Sequence, residues 1–120
     1  MNRRTVRAVV KRVGLRPEII EIETRAEELR TIVGGHVANV LAFKAPGTEF
    51  SIICYANKEG EVSALPLNFY RPIDREPIAG DVVFVGDVAG ERVGLSLETA
   101  DQLVRLIRAH GLSTDQELVS

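Results

Sequence analysis

The sequence has few of the side chains that carry metal, redox or covalent chemistry. Its 120 residues include one cysteine, Cys54, and two histidines, His36 and His110. A lone cysteine excludes an internal disulfide, and these scattered residues do not form a metal-binding motif. The sequence also lacks a nucleophile elbow, a phosphate loop and a dinucleotide fingerprint. We therefore expect a protein that is not an enzyme and that uses no metal and no cofactor.

Long apolar runs are also absent. No stretch approaches the ~20 residues of a membrane helix, and the N-terminal segment MNRRTVRAVV lacks the apolar core of a signal peptide. The hydrophobic fraction of 45% and the charged fraction of 27% are typical of a globular domain. We predict one domain over residues 1–111, a loosely ordered tail over 112–120, no membrane contact and a cytoplasmic location, which the single cysteine also fits.

The charges are unevenly distributed, although the net charge is only −2. Six basic residues and no acidic residue precede Glu18, whereas seven acidic and three basic residues occur from Asp81 onward. A basic segment of this kind can contact phosphate groups, and its candidate contacts are Arg4, Arg7 and Lys11. The alternative is that the two ends of the chain pair with each other or with a second subunit.

Alternating apolar and polar residues predict a β-hairpin at the N-terminus. Residues 5–13 have the period of a half-buried strand, with Arg7 and Lys11 on its polar side. Residues 14–17 predict a turn, and residues 18–23 predict the second strand.

A helix with defined ends is predicted next. Thr24 and Glu27 match the spacing of a capping box, so that the helix would begin at Thr24. Its apolar face stops at Gly34, where we expect a left-handed residue that ends the helix. Gly35 would then let the chain turn sharply into a strand over residues 36–43.

The remaining sequence predicts strands and turns followed by a second helix. Gly60 is expected to have a positive φ in a tight turn, residues 68–80 form the longest irregular segment, and Ser96 caps the last helix. The predicted strands are 50–57, 61–67, 81–88 and 92–95. The order ββα-βββββ-α predicts an α+β fold with a mostly antiparallel, bent sheet and two helices. Exposed strand edges in such a domain favour a homo-oligomer.

Two segments contain groups that suit an anionic ligand. The turn at Gly35 and His36 offers backbone amides and an imidazole. Pro66 stops strand pairing just before Asn68, Tyr70 and Arg71, which offer an amide, an aromatic ring and a guanidinium. These groups suit the edge, the base and the phosphate of a nucleotide.

Each of these residues also has an ordinary structural interpretation. His36 can be a surface residue of a strand, Phe69 and Tyr70 can cover the core, and Arg71 can pair with Asp74. Cys54 lies within a predicted strand, where burial is its usual fate.

The quoted motifs also resemble a known family. The segments IVGGHV, ANKEGE, LPLN, IAGDVVFVG and LSLE follow one another in an order similar to that of a small domain of unknown function found in bacteriophages and mobile elements. The similarity spans about residues 18 to 105. It implies an origin in a phage or mobile element, and hence the host-cell cytoplasm, but it implies no activity. Members often have an arginine or a similar residue directly after the asparagine of LPxN, whereas here Phe69 and Tyr70 precede Arg71.

Two functional hypotheses follow. In the first, the protein binds a small anionic ligand, such as a nucleotide signal, and sequesters it to counter host defence; part of this rests on the implied origin. In the second, it is an oligomerising or protein-binding module that contacts a host protein without a ligand. Nucleic-acid binding is a weaker option, because the chain is slightly acidic and has no helix-turn-helix with a basic recognition helix.

Overall fold

A computed structural model describes residues 5–23, 25–44, 50–60, 62–71 and 74–109. It confirms the α+β class, with two helices and mostly antiparallel strands. In chain order the elements are β1 (Thr5–Lys11), β2 (Glu18–Glu23), α1 (Ala26–Val33), β3 (Val37–Lys44), β4 (Ser51–Asn57), β5 (Leu67–Tyr70), β6 (Pro77–Ala79), β7 (Val82–Val88), β8 (Glu91–Val93) and α2 (Leu97–Ala109). Neither helix of these described segments has the length and apolar character needed to cross a bilayer.

The larger sheet is antiparallel throughout. Its strand order is β2-β1-β7-β4-β3, and β8 pairs with the second half of β7. After β8 the chain continues alongside β1, because the Leu95 amide donates to the Arg7 carbonyl at 2.9 Å. The strands β5 and β6 form a separate two-stranded sheet. The predicted hairpin of β1 and β2 is confirmed.

Both faces of the large sheet are covered, which explains its apolar central strands. One face, here called the α2 face, packs against α2 and the β5–β6 sheet, and its cluster includes Val9, Phe84 and Leu103. The opposite face, here called the α1 face, packs against α1, and its cluster includes Val83 and Leu29. Successive residues of β7 alternate between the two clusters, as a strand with a period of two requires.

The prediction of a polar side on the first strand is wrong for Lys11. Its side chain is 0% exposed, and Nζ donates to the Arg12 carbonyl at 2.8 Å and to Asn68 Oδ1 at 3.1 Å. Asn68 is also fully buried, and its Nδ2 donates to the carbonyls of Lys11 and Gly80, each at 2.8 Å. This network gives the buried polar groups of Lys11 and Asn68 hydrogen-bond partners and joins the small sheet to β1.

The segment from residue 61 to 80 differs from the prediction. Residues 62–64 form turns rather than a strand, with the Ser63 amide bonded to the Glu59 carbonyl at 2.8 Å. Residues 68–70 and 77–79, predicted as part of a loop, lie in β5 (Leu67–Tyr70) and β6 (Pro77–Ala79). Gly60 does not have a positive φ; it is needed because a Cβ there would lie 3.0 Å from the Ala79 carbonyl oxygen. The strand propensity of this segment misled the prediction, because residues 62–64 form local turns instead of pairing with a strand.

The helix ends are partly as predicted. Gly34 ends α1 with φ 78°, and its amide donates to the Arg30 carbonyl at 2.8 Å. The N-cap residue of α1 is Arg25, which makes no side-chain cap bond; the predicted cap, Thr24, lies outside the described residues. Ser96 caps α2, because its Oγ accepts from the Thr99 amide at 3.0 Å. Residues 110–120, including His110, are also outside the described segments.

The two adjacent glycines have different physical reasons. Gly34 needs its left-handed backbone, and a Cβ there would meet nothing within 4 Å. Gly35 instead needs space, because a Cβ there would lie 2.7 Å from Asn57 Nδ2. We expected Gly35 to allow a sharp turn, whereas the structure shows that it leaves room for the Asn57 side chain.

A double-mutant cycle separates these two reasons. Gly34→Ala should lower the free energy of unfolding by about 1 kcal/mol through backbone strain, both in the parent and in Asn57→Ala. Gly35→Ala should cost about 1–2 kcal/mol in the parent, because it displaces a hydrogen-bonded side chain, and little in Asn57→Ala. Urea unfolding measures the free-energy cost of each glycine substitution in the parent and in Asn57→Ala. An equal cost of Gly35→Ala in both backgrounds would contradict the assignment.

The Asn68→Asp substitution tests the buried network. The new carboxylate could still accept from Lys11, but it would place an oxygen against the carbonyls of Lys11 and Gly80, which now accept from Nδ2. We expect a loss of about 2 kcal/mol or more in the free energy of unfolding. Asn39→Asp, at an exposed asparagine of β3, is the matched control and should change stability by less than about 0.5 kcal/mol. Equal effects at both positions would refute the proposed role of Asn68.

Candidate functional site

A basic depression lies on the α1 face. It has a volume of about 750 Å³, and His36, Arg30, Lys58 and Arg92 contribute its positively charged or titratable nitrogen groups. Glu59 is the one acidic residue of its described lining, which Ala26 and Val37 complete. We call this site the basic depression. Of the predicted ligand residues, it contains His36.

Three chain segments meet to build the basic depression. Arg30 lies in the last turn of α1, His36 directly precedes β3, and Lys58 directly follows β4. The Lys58 amide donates to the His36 carbonyl at 2.7 Å, which fixes the last two segments side by side. Asn57 Nδ2 donates to the Val33 carbonyl at 3.3 Å, which attaches the end of α1 to the same point.

The fourth group comes from β8. The Arg92 guanidinium carbon lies 5.2 Å from the centroid of the Tyr55 ring, a cation–π distance. Tyr55 is half-buried and packs on the α1-face cluster. The ring therefore supports the guanidinium from below and leaves a planar cationic surface at the edge of the basic depression.

In the described lining of the basic depression, the basic side chains outnumber the single carboxylate, Glu59. The side chains of Arg30, His36 and Lys58 are exposed, and within the described segments none of them forms an ion pair. Neighbouring like charges repel one another, although solvent screens the repulsion. An anion that bridges these side chains would remove this repulsion, so the arrangement suits a multiply charged anion.

The glycine amides expected to meet an anion are used elsewhere. The amides of Gly34 and Gly35 both donate to the Arg30 carbonyl, at 2.8 and 3.1 Å. They close the end of α1 and are directed into the helix rather than toward a ligand. Gly35 therefore contributes space for Asn57, and His36 is the residue of this turn that lines the site.

The second predicted segment is separate from the basic depression. Asn68 is fully buried in the network with Lys11. Tyr70 is half-buried, and the Arg75 guanidinium carbon lies 5.8 Å from its ring centroid. Phe69 belongs to the core, with 1% exposure. These placements match the structural alternatives for the aromatic residues.

Arg71 is held by internal partners. Its Nε donates to Asp74 Oδ1 at 2.8 Å, its Nη2 pairs with the other carboxylate oxygen, and its Nη1 donates to the Val40 carbonyl at 2.9 Å. The hydrogen bond from Arg71 lowers the pKa of Asp74 to about 2, so the pair is ionised at neutral pH. Arg71 lines a smaller depression of about 260 Å³, which shares Lys58 with the basic depression.

The three candidate phosphate contacts do not form one surface in the described residues. Arg4 lies outside them, and Lys11 is buried. Arg7 lines a cavity on the α2 face, and its Nη1 donates to the Leu95 carbonyl at 3.1 Å. The alternative of pairing between the two ends of the chain is seen at Arg12, whose Nη1 lies 3.5 Å from Asp81 Oδ2.

Sequence reasoning missed most of the basic depression. Arg30, Lys58 and Arg92 come from α1, the turn after β4, and β8, and no motif links them. The one available signal was their charge, which does not reveal spatial proximity. Cys54 offers no reactive thiol, because burial raises its pKa. The described residues contain no cluster of three or more side chains able to hold a metal ion.

Comparison with known proteins identifies a family but no characterised relative. No curated protein and no solved structure matches the chain. Residues 6–108 match the family described as a domain of unknown function, DUF3846. This match spans all of the strands except the first residue of β1, and nearly all of α2. The chain therefore belongs to the DUF3846 family.

Proposed function

We propose that this protein binds a small, multiply charged anion of the nucleotide class in the basic depression. The observation that carries the proposal is the convergence of Arg30, His36, Lys58 and Arg92 from separate segments on one concave surface. A basic side chain on a convex surface serves solubility, whereas several around one hollow can contact one ligand together.

The size and the Arg92–Tyr55 stack favour a nucleotide over a simple inorganic ion. A volume of about 750 Å³ is within the range of ligand pockets, roughly 300–1,000 Å³. The planar guanidinium of Arg92 provides a face on which a base can stack, as arginine does in nucleic-acid recognition. Arg30 and Lys58 would then contact the phosphates.

The proposed activity is binding without conversion. Cys54, the one cysteine that could act as a nucleophile, is buried. His36, which lines the basic depression, is the one described histidine that could act as an acid or base. Reversible binding of a nucleotide, together with the resemblance to a phage and mobile-element family, leads us to propose sequestration of a signal nucleotide that counters host defence. Denaturation of the complex should therefore release the nucleotide chemically unchanged.

Charge-removing variants test the location of the site. We expect Arg30→Ala and Lys58→Ala each to weaken ATP or cyclic AMP binding about fivefold, which corresponds to about 1 kcal/mol for an exposed charged contact. Isothermal titration calorimetry measures the affinity. Arg108→Ala is the matched control, because it removes an exposed charge from α2, on the opposite face of the sheet.

The same titrations separate nucleotide binding from general attraction of anions. Affinity should fall as salt concentration rises, and inorganic tripolyphosphate should bind more weakly than ATP because it lacks a base. Failure of the parent protein to bind any nucleotide at low salt, or equal losses in all three variants, would refute the proposal.

A second candidate function is favoured by apolar residues on α2. Leu97 and Leu106 are 61% and 42% exposed, and Leu106 lines an apolar groove of about 190 Å³ with Phe43 and Leu103. Exposed apolar surface of this kind often marks a protein contact. In this alternative, a second copy of the chain covers α2 and the protein acts as an interaction module.

Native mass spectrometry of protein purified from cells distinguishes the two candidates. The first candidate predicts a bound small mass whose occupancy Lys58→Ala lowers. The second predicts an apo dimer that Leu106→Glu converts to a monomer, because a charge in an apolar interface is costly. Asp101→Glu, also on α2, preserves charge and is the control. A monomer without a bound mass would contradict both candidates.

A further inference from the structure

A second cavity lies on the α2 face, away from the basic depression. It has a volume of about 480 Å³ and is bounded by β1, β2, the start of α2 and residues of β4 and β7. Gly86 lies at its floor, opposite Ile52 in the register of β7 and β4. A Cβ at position 86 would lie 3.0 Å from Val93 Cγ2, so the glycine allows β8 to pack closely beside the cavity.

Two oppositely charged side chains line this cavity and do not pair. Arg7 and Glu21 are direct partners in the register of β1 and β2, so their side chains project from the same face. Within the described residues, no ion pair joins them. Arg7 donates to the Leu95 carbonyl at 3.1 Å, and Glu21 accepts from the Thr5 hydroxyl at 3.4 Å.

Each side chain therefore has capacity for a ligand. One hydrogen bond leaves the other N–H groups of the Arg7 guanidinium for an acceptor such as a carboxylate. One long hydrogen bond leaves most of the lone pairs of the Glu21 carboxylate for a donor such as an ammonium group. Because Arg7 and Glu21 are direct partners in the strand register, their side chains lie next to each other on the same wall of the cavity.

The remaining lining is largely apolar. Leu95 is buried and Phe50 is 45% exposed, and both line the cavity. Thr99 adds a hydroxyl from the first turns of α2. A ligand that satisfies all of these groups carries a carboxylate, an ammonium group and a short apolar chain.

We infer that this cavity binds a small zwitterion, specifically a free α-amino acid with an apolar side chain. Its carboxylate would accept from Arg7, its ammonium group would donate to Glu21, and its side chain would lie against Phe50 and Leu95. The bound amino acid would bridge Arg7 and Glu21, whose opposite charges do not form an ion pair with each other. It is independent of nucleotide binding, since the two cavities lie on opposite faces of the sheet.

Ligands that lack one charge test this assignment directly. By calorimetry we expect L-leucine to bind tenfold or more tightly than leucinamide, which lacks the carboxylate, and than 4-methylpentanoate, which lacks the ammonium group. Equal binding of leucine and 4-methylpentanoate, tighter binding of inorganic phosphate than of leucine, or no binding of leucine at millimolar concentration would overturn the inference.

Single-residue variants assign each charge. Glu21→Gln should weaken leucine about tenfold and leave 4-methylpentanoate unchanged, whereas Arg7→Gln should weaken leucine and leave leucinamide unchanged. Glu18→Gln, at an exposed acid of the same strand outside the cavity, is the matched control, and thermal melting verifies folding.

The Lys58→Ala variant separates this inference from the proposed function. It should bind leucine like the parent even where its nucleotide affinity falls. Leucine binding that responds to Lys58 but not to Glu21 would overturn the site assigned to the α2 face.

Discussion

The contact between Asn57 and the end of α1 determines where the basic depression forms. Asn57 Nδ2 donates to the Val33 carbonyl, and its Oδ1 accepts from the Glu59 amide at 2.8 Å. One side chain thus fixes the end of the helix and the turn after β4 at the same point. Gly35 makes this possible, because any larger residue would occupy the space of the asparagine. The basic depression is built from the segments that Asn57 holds together.

Within the described residues, Arg30 and Lys58 of the basic depression form no ion pair, as is also true of some other exposed basic residues such as Arg108. Several arginines elsewhere have a carboxylate partner, in the pairs Arg12–Asp81, Arg25–Glu23, Arg71–Asp74 and Arg105–Asp101. The sequence contains 17 acidic and 15 basic side chains, so partners are not scarce. Exposed pairs contribute little to stability, but Arg30 and Lys58, which have no carboxylate partner among the described residues, retain their capacity for an external anion. This is why we assign the ligand to the basic depression and not to Arg71.

The fold was largely predictable because its strands and helices have clear periods. The hairpin of residues 5–23, the central strands near 50–57 and 81–88, and the glycine at the end of α1 followed from local patterns. The region from 61 to 80 was not predictable in the same way. Its small sheet depends on a buried asparagine that bonds to Lys11, 57 residues away in sequence, and such a long-range contact leaves no local periodicity.

The candidate site was predictable only in part, for a related reason. A glycine pair followed by His36 marked one side of the basic depression. The polar groups of Asn68 and Arg71 suggested ligand contacts because the sequence does not show their internal partners, Lys11 and Asp74. Conversely, Arg30, Lys58 and Arg92 resembled ordinary surface charges until the fold placed them together. The chemistry of a single residue shows which hydrogen bonds and ion pairs it can form, whereas tertiary structure determines which partners it forms them with.

Backbone amide chemical shifts during a titration with ATP test the central claim most directly, because they report the position of a ligand without any mutation. The account predicts shifts concentrated at Arg30, at His36, at Lys58 and Glu59, and at Arg92, with α2 unaffected. Shifts centred on Tyr70 and Arg71, shifts confined to the α2 face, or no shifts at saturating nucleotide would contradict it.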